Sequence, residues 1–211
     1  VATLLGAGVA TAQDLSGLYV GGHLGSVRNA GDYTAFTPRN GFAGFDLQGL
    51  QDSGGAGGVH MGYNWDHGAY IVGVEGSFTA MSLEKTSTSS TLLGSGPLFG
   101  QKLDSLATLM PKVGVKSGNA MFYAKAGLAL GRIGAFHNQN GTVIEGSNTQ
   151  TGWAAGIGAE FPVGNKWTGR IDYTYADFGS VRTDMAGSPD IWATQKVTEG
   201  LLSVGFNYYF N

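Results

Sequence analysis

Between Ala56 and Met81 the chain alternates in character residue by residue. Gly57, Val59, Met61, Tyr63 and Trp65 stand on one side, and Ala56, Gly58, His60, Gly62 and Asn64 on the other. After a short Asp66-His67-Gly68 turn, Tyr70, Val72, Val74, Gly76, Phe78 and Ala80 oppose Ile71, Gly73, Glu75, Ser77 and Thr79. Successive side chains of a strand point to opposite faces, so the pattern predicts a hairpin with one bulky apolar face and one face of small, polar or charged groups. A hairpin in water would turn its bulky face into a core. Here a carboxylate and several glycines occupy the other face, so the medium that each face meets decides the fold.

The same alternation recurs along the chain. Strands are predicted over 17–26, 106–115, 121–134, 152–161 and 167–176, and in the run that ends at Phe210. With the opening hairpin they make eight. Four long polar segments, at 27–54, 82–104, 137–150 and 179–194, alternate with three short turns. Pro111 lacks a ladder donor, and a bulge or a frayed strand is expected there. Strands near ten residues long match the ~9–11 needed to cross a bilayer at a tilt. Even strand number, short turns at one end and long loops at the other define an all-β, eight-stranded antiparallel up-and-down transmembrane β-barrel. Closure is obligatory, because a free edge in hydrocarbon would leave N–H and C=O groups without partners.

Composition agrees. Charged residues make up 13%, about half the share usual in a soluble domain, as expected where much of the surface avoids water. A net charge of −3 offers nothing to nucleic acid, and the lack of cysteine excludes disulfide scaffolds, thiol nucleophiles and cysteine-ligated zinc. Residues 1–12 end in Ala10-Thr11-Ala12, the small-x-small pattern of a secretory cleavage site, and are read as a residual signal peptide. The barrel then occupies 13–211. No stretch carries the ~18 consecutive apolar residues of a spanning helix.

The barrel assigns a role to each face. Tyr63, Trp65, Phe78, Phe122, Trp153, Phe161, Trp167, Tyr173, Phe206, Tyr208 and Phe210 fall on the outward face, toward lipid and its borders. Glu75, Lys112, Lys125, Glu160, Arg170 and Asp172 fall inside, three acids against three bases. An eight-stranded barrel is only wide enough for its own side chains. A neutral ion-pair and hydrogen-bond network is therefore expected to plug the lumen, helped by Tyr123 and Asn207. His23 and His60 also point inward and read as members of that network; neither has a second ligand at i+2 or i+4, so no metal is assigned. The four histidines are scattered and no G-x-S-x-G elbow occurs, so no catalytic site and no enzyme activity are assigned.

The run from Arg170 to Gly179 (RIDYTYADFG), GVEGSF at 73–78, YAKAGLA at 123–129 and the aromatic-alternating C-terminus resemble the opacity-type, porin-family eight-stranded barrels of the Gram-negative outer membrane. The likeness spans essentially the whole chain after residue 12 and is of the OmpA/OmpX-like kind. It implies an outer-membrane location, contact with outer-membrane lipid and lipopolysaccharide, and delivery to the barrel-insertion machinery through the C-terminal strand, where Phe210 is followed by Asn211. Members of the family include structural proteins, adhesins, haemin binders and weak porins. For this chain the resemblance implies a plugged barrel that anchors four surface loops for envelope integrity or surface contact, with a small diffusion channel or a haem- or host-ligand-binding surface as alternatives. No cofactor is assigned; a haem would use His137 or Tyr33 as its axial ligand.

Overall fold

The computed structural model describes residues 15–37, 42–82, 99–139, 142–184 and 192–211, and their side chains over 15–28, 53–82, 104–132, 149–179 and 198–211. Eight strands follow in order: β1 (Gly17–Thr37), β2 (Phe42–Asp66), β3 (Tyr70–Ser82), β4 (Phe99–Ser117), β5 (Ala120–Gln139), β6 (Thr142–Gly164), β7 (Trp167–Asp184) and β8 (Trp192–Tyr209). Each pairs antiparallel with its neighbours, and β1 pairs with β8, so the sheet closes into a barrel. At that seam Phe210 N–H donates to Leu18 O.

One end of the barrel is held by tight turns, residues 67–69, 118–119 and 165–166. Gly68 and Gly118 sit at φ 84° and 60°, where a side chain would be strained. The Asp66 carboxylate accepts a 2.7 Å hydrogen bond from Gly68 N–H, fixing the first turn.

The other end differs from the sequence expectation. The strands run from 13 to 25 residues rather than near ten. Much of 27–54, 137–150 and 179–194, expected as loop, is ladder: β1 and β2 pair out to Thr37↔Phe42, and β5 and β6 to Gln139↔Thr142. Beyond the hydrocarbon the outer face no longer needs apolar side chains, so the alternation fades while the backbone bonds continue. β4 likewise starts at Phe99, inside the segment expected as the second loop. The remainder of these four segments, 38–41, 83–98, 140–141 and 185–191, and residues 1–12, expected from sequence as a residual signal peptide, lie outside the described residues.

Pro111 produces neither a bulge nor a frayed strand. It pairs with Val74 in register, and the β4–β5 ladder passes from Leu109↔Leu128 to Lys112↔Lys125 without a shift. The one missing donor is absorbed within a continuous strand; the irregularity of β4 falls instead between Leu103 and Ser105.

Bulky side chains point out, with Leu24 71% and Ile157 64% exposed, while Glu75 and Glu160 are 1% and 0% exposed. On β1 the outward series Leu18, Val20, Gly22, Leu24 ends at Ser26 and Arg28; on β5 Phe122 to Leu130 ends at Arg132. Each basic residue marks where the apolar band stops. The outward aromatics are exposed, except that Tyr208 is half-buried between Trp167 and Phe210, with ring centroids 5.1 Å away on each side, and Tyr175 is half-buried beside Trp153 at 5.6 Å.

Two inward glycines make the lumen wide enough for tyrosine. A Cβ at Gly62 would lie 2.6 Å from the Tyr19 ring, and one at Gly158 would lie 2.5 Å from the Tyr123 ring. Without those side chains, Tyr19 and Tyr123 lie flat against the inner wall and reach the lumen with their hydroxyls.

Candidate functional site in the barrel lumen

The centre of the lumen is Glu75. β3 and β7 stand on opposite sides of an eight-stranded barrel, so a bond between them crosses its full width. Arg170 makes that crossing, donating to the Glu75 carboxylate at 2.8 and 3.2 Å. Lys125 Nζ donates to the same carboxylate at 2.9 Å and Tyr19 Oη at 2.8 Å, while Lys112 Nζ lies 4.0 Å away. Asp172 forms the second node. It receives Arg170 at 3.0 Å, Tyr123 Oη at 2.8 Å and Thr174 Oγ1 at 2.8 Å, with Lys125 Nζ 3.1 Å away. Lys112 donates to Tyr19 Oη at 2.8 Å and sits 4.5 and 5.2 Å from the Tyr19 and Tyr123 ring centroids.

Glu160 departs from the expected ion-pair network. Its Oε1 accepts from Thr168, Asn207 and Tyr209 at 2.6, 2.7 and 2.7 Å, all neutral donors. It belongs to a separate layer nearer the short turns, where Asn64 donates to Tyr209 Oη and to Leu15 O. Leu15, Tyr19, Ile71, Met121, Tyr123 and Tyr209 surround that layer as one buried apolar cluster.

On the other side of the charges lie the two histidines. Asn207 uses its amide N–H to hold Glu160, so its Oδ1 faces His60 Nε2 at 2.6 Å, and that nitrogen must be the donor. In a neutral ring His60 Nδ1 then accepts, and His23 Nδ1–H supplies the proton across 3.1 Å. His23 Nε2 in turn accepts from Thr79 Oγ1 at 3.0 Å. One directional file, Thr79 to His23 to His60 to Asn207 to Glu160, runs along the lumen. No group of three or more His, Cys, Asp or Glu side chains converges on a metal position among the described residues.

Above the histidines most inward side chains are apolar, with Glu199 of β8 set beside Ala176 among them. Val27, Met81, Leu106, Met110, Phe178 and Leu201 are among the residues of a second buried cluster. Between this layer and the charges is a cavity of about 20 Å³, bordered by His23, Ser77, Thr108, Lys125, Arg170 and Asp172. That is room for roughly one water.

All six inward charges named from sequence lie inside, and five of them meet through Glu75 and Asp172. Sequence reasoning missed the apolar septum and Glu199, which is 2% exposed within β8. The same two-residue period carries the signal, since counting back from Leu201 turns Glu199 inward. Tyr33 and His137 fall within β1 and β5, not in a loop or at its border; their side chains lie outside the described residues.

A closed barrel with an apolar exterior, aromatic borders and a charged interior defines an integral protein of the Gram-negative outer membrane. The chain belongs to the outer membrane protein beta-barrel domain family, which it matches over residues 1–210. It is 28% identical to the "31 kDa outer-membrane immunogenic protein" of Brucella melitensis, covering 91% of this chain and 84% of that one. It is 27% identical to the "22 kDa outer membrane protein" of Rhizobium leguminosarum, covering 84% and 71%. Among solved structures it resembles the outer membrane protein OprG of Pseudomonas aeruginosa with a TM-score of 0.52 at 10% identity, over 92% of this chain and 97% of that one, a likeness of fold.

Proposed function

We propose that this protein is a non-enzymatic, non-conducting anchor: a barrel with a plugged lumen that carries extended strands and their loops beyond the outer leaflet for envelope integrity or surface contact. The observation that carries the reading is the double seal. Cross-lumen ion pairs fill the centre, an apolar layer closes the side toward the long strands, and the cavity between them holds about one water. A hydrated ion finds neither space nor a continuous polar wall. Five of the inward charges, Glu75, Lys112, Lys125, Arg170 and Asp172, are engaged with one another, which supports a lumen filled at its centre. Seven of the eight strands, at 18–25 residues, are about twice the length of a bilayer crossing and support a projecting surface, and "immunogenic" in the name of the Brucella relative is in keeping with one. The partners that follow are outer-membrane lipid and lipopolysaccharide around the belt, the insertion machinery at the C-terminal strand, and a surface ligand at the projecting end.

Planar-bilayer recording after reconstitution tests the reading. A sealed barrel gives no steady openings; reproducible unitary conductance from the folded, heat-modifiable species refutes it.

A further inference from the structure

Two G-x-H triplets, Gly21-Gly22-His23 on β1 and Gly58-Val59-His60 on β2, are paired reciprocally: His23 stands opposite Gly58 and His60 opposite Gly21. A Cβ at Gly58 would lie 2.8 Å from the His23 ring, and one at Gly21 would collide with His60 Nε2. Each ring therefore lies over the glycine of the neighbouring strand, and the two Nδ1 atoms come to 3.1 Å. That contact holds one proton. The outer nitrogens are engaged as well, His60 Nε2 by Asn207 Oδ1 and His23 Nε2 by Thr79 Oγ1. Two neutral rings carry two N–H protons between them, one in the bridge and one toward Asn207. A third has one place to go, His23 Nε2, where the Thr79 hydroxyl turns from donor to acceptor. A fourth would set two N–H groups head-on across the bridge.

The carboxylates nearest the pair are already engaged. Across the small cavity the two rings face Glu75 of β3, Lys125 of β5, and Arg170 and Asp172 of β7. Each of those carboxylates has both Arg170 and Lys125 as partners. From the other strands, β1 sets the Tyr19 ring 6.4 Å from His60, and β4 brings Thr108 to the cavity and Lys112 to the Tyr19 hydroxyl. On β6, Glu160 is reached only through Asn207, and β8 carries Glu199 further along, opposite Asn29. We propose that the His23–His60 pair is an acid-sensitive latch: it admits at most one proton as a unit, and charging both rings requires them to part and break the file that joins β1, β2, β3 and β8. Two imidazolium rings in contact would repel in a lumen with room for about one water. The latch goes beyond the plugged reading, and its test counts protons instead of reading conductance.

Nitrogen-15 titration of the full barrel in lipid vesicles, beside urea unfolding over the same pH range, tests it. Free imidazoles charge near pH ~6.5, so in the unfolded chain these two residues take up two protons as pH falls to about 5. The folded pair takes up no more than one. An excess of one proton in the unfolded state raises the unfolding equilibrium constant about tenfold for each pH unit below that value, so stability falls as the medium turns acid. The spectra of the folded barrel at pH ~5 should show no more than three N–H protons on the two rings, any uptake being one step shared by the pair. The double variant His23→Gln/His60→Gln keeps His67 and His137, and the acid slope should disappear in it. Its folding is read from heat-modifiable mobility, and the parent's spectra decide the proton count even where the variant does not fold. Four N–H protons on the pair in a folded barrel, or an acid slope undiminished in the folded double variant, overturns the proposal.

Discussion

Replacing Glu75 by Gln keeps the shape of the central side chain and removes its charge. Four hydrogen bonds end on the carboxylate: two from Arg170, one from Lys125 and one from Tyr19. The central cluster would then keep Lys112, Lys125 and Arg170 but only one of its two carboxylates, Asp172. Summing charge-assisted bonds at ~1.5–3 kcal/mol each would give roughly 6–12 kcal/mol. That overshoots, because burying the carboxylate already carries a large desolvation cost and Asp172 still receives Arg170, with Lys125 beside it. Breaking one side of a buried ion cluster costs about 3–5 kcal/mol, and that is the expected loss for Glu75→Gln. The assay is urea unfolding in lipid vesicles, followed by tryptophan emission and by heat-modifiable mobility. Adding Lys125→Met restores charge balance and should recover part of the loss, a coupling of roughly 0.5–3 kcal/mol. An unchanged midpoint for Glu75→Gln, or strictly additive effects in the pair, would show that the charges are hydrated and the plug reading is wrong.

Four further outcomes follow from the geometry. Val74→Arg places a charge on the apolar exterior and should cost about 2–4 kcal/mol near the midplane, whereas Ser77→Thr, beside the small cavity, should leave the same unfolding midpoint nearly unchanged. Gly158→Ala drives a methyl against the Tyr123 ring and Ile171 O; a loss of roughly 1–3 kcal/mol is expected, with exchange broadening of the Asp172 and Tyr123 signals in NMR. Nitrogen-15 spectra of the histidines should show His60 as the Nε2–H tautomer and His23 as the Nδ1–H tautomer, and Asn207→Ala should scramble the first. At the periplasmic turn, the hydrogen bond from Lys116 holds the Asp66 carboxyl below the ordinary carboxylate range. A depressed folded value means that the stabilisation is complete above the unfolded value of about 4 and is lost as pH falls through the folded one. Gly68 amide protection should follow that titration and be flat in Asp66→Asn.

How much of this was legible beforehand follows from what period two encodes. Parity alone turns Glu75, Lys112 and Arg170 inward and Trp65, Phe122 and Ile157 outward, because one residue of slip would exchange the two sets. Parity says nothing of partners. Glu75 and Arg170 are 95 residues apart and meet only through the stagger with which the sheet closes, and that stagger cannot be counted along one strand. The same gap explains Glu160. Charge alone groups it with the ion pairs, yet its height beside Thr168, Asn207 and Tyr209 gives it neutral donors. The long connections mislead for the opposite reason. Their sequence reports the medium as well as the backbone, and the apolar alternation fades there while the ladder persists to Thr37 and Gln139.

The apolar septum follows from the same separation of medium and backbone. A lumen filled only by ion pairs would meet water at its outer end, where hydration competes with Arg170 for Glu75 and weakens each bond. Leu106, Met110, Phe178 and Leu201 close that end without needing partners of their own. On the proposed plugged reading the charges act in a compartment with little water, which strengthens their attraction and raises the cost of separating them. Polar centre and apolar lid are one device. Leu201→Asp should therefore weaken the Glu75 cluster at a distance: the coupling between Glu75→Gln and Lys125→Met should shrink in that background, and an undiminished coupling would show that the two layers act independently.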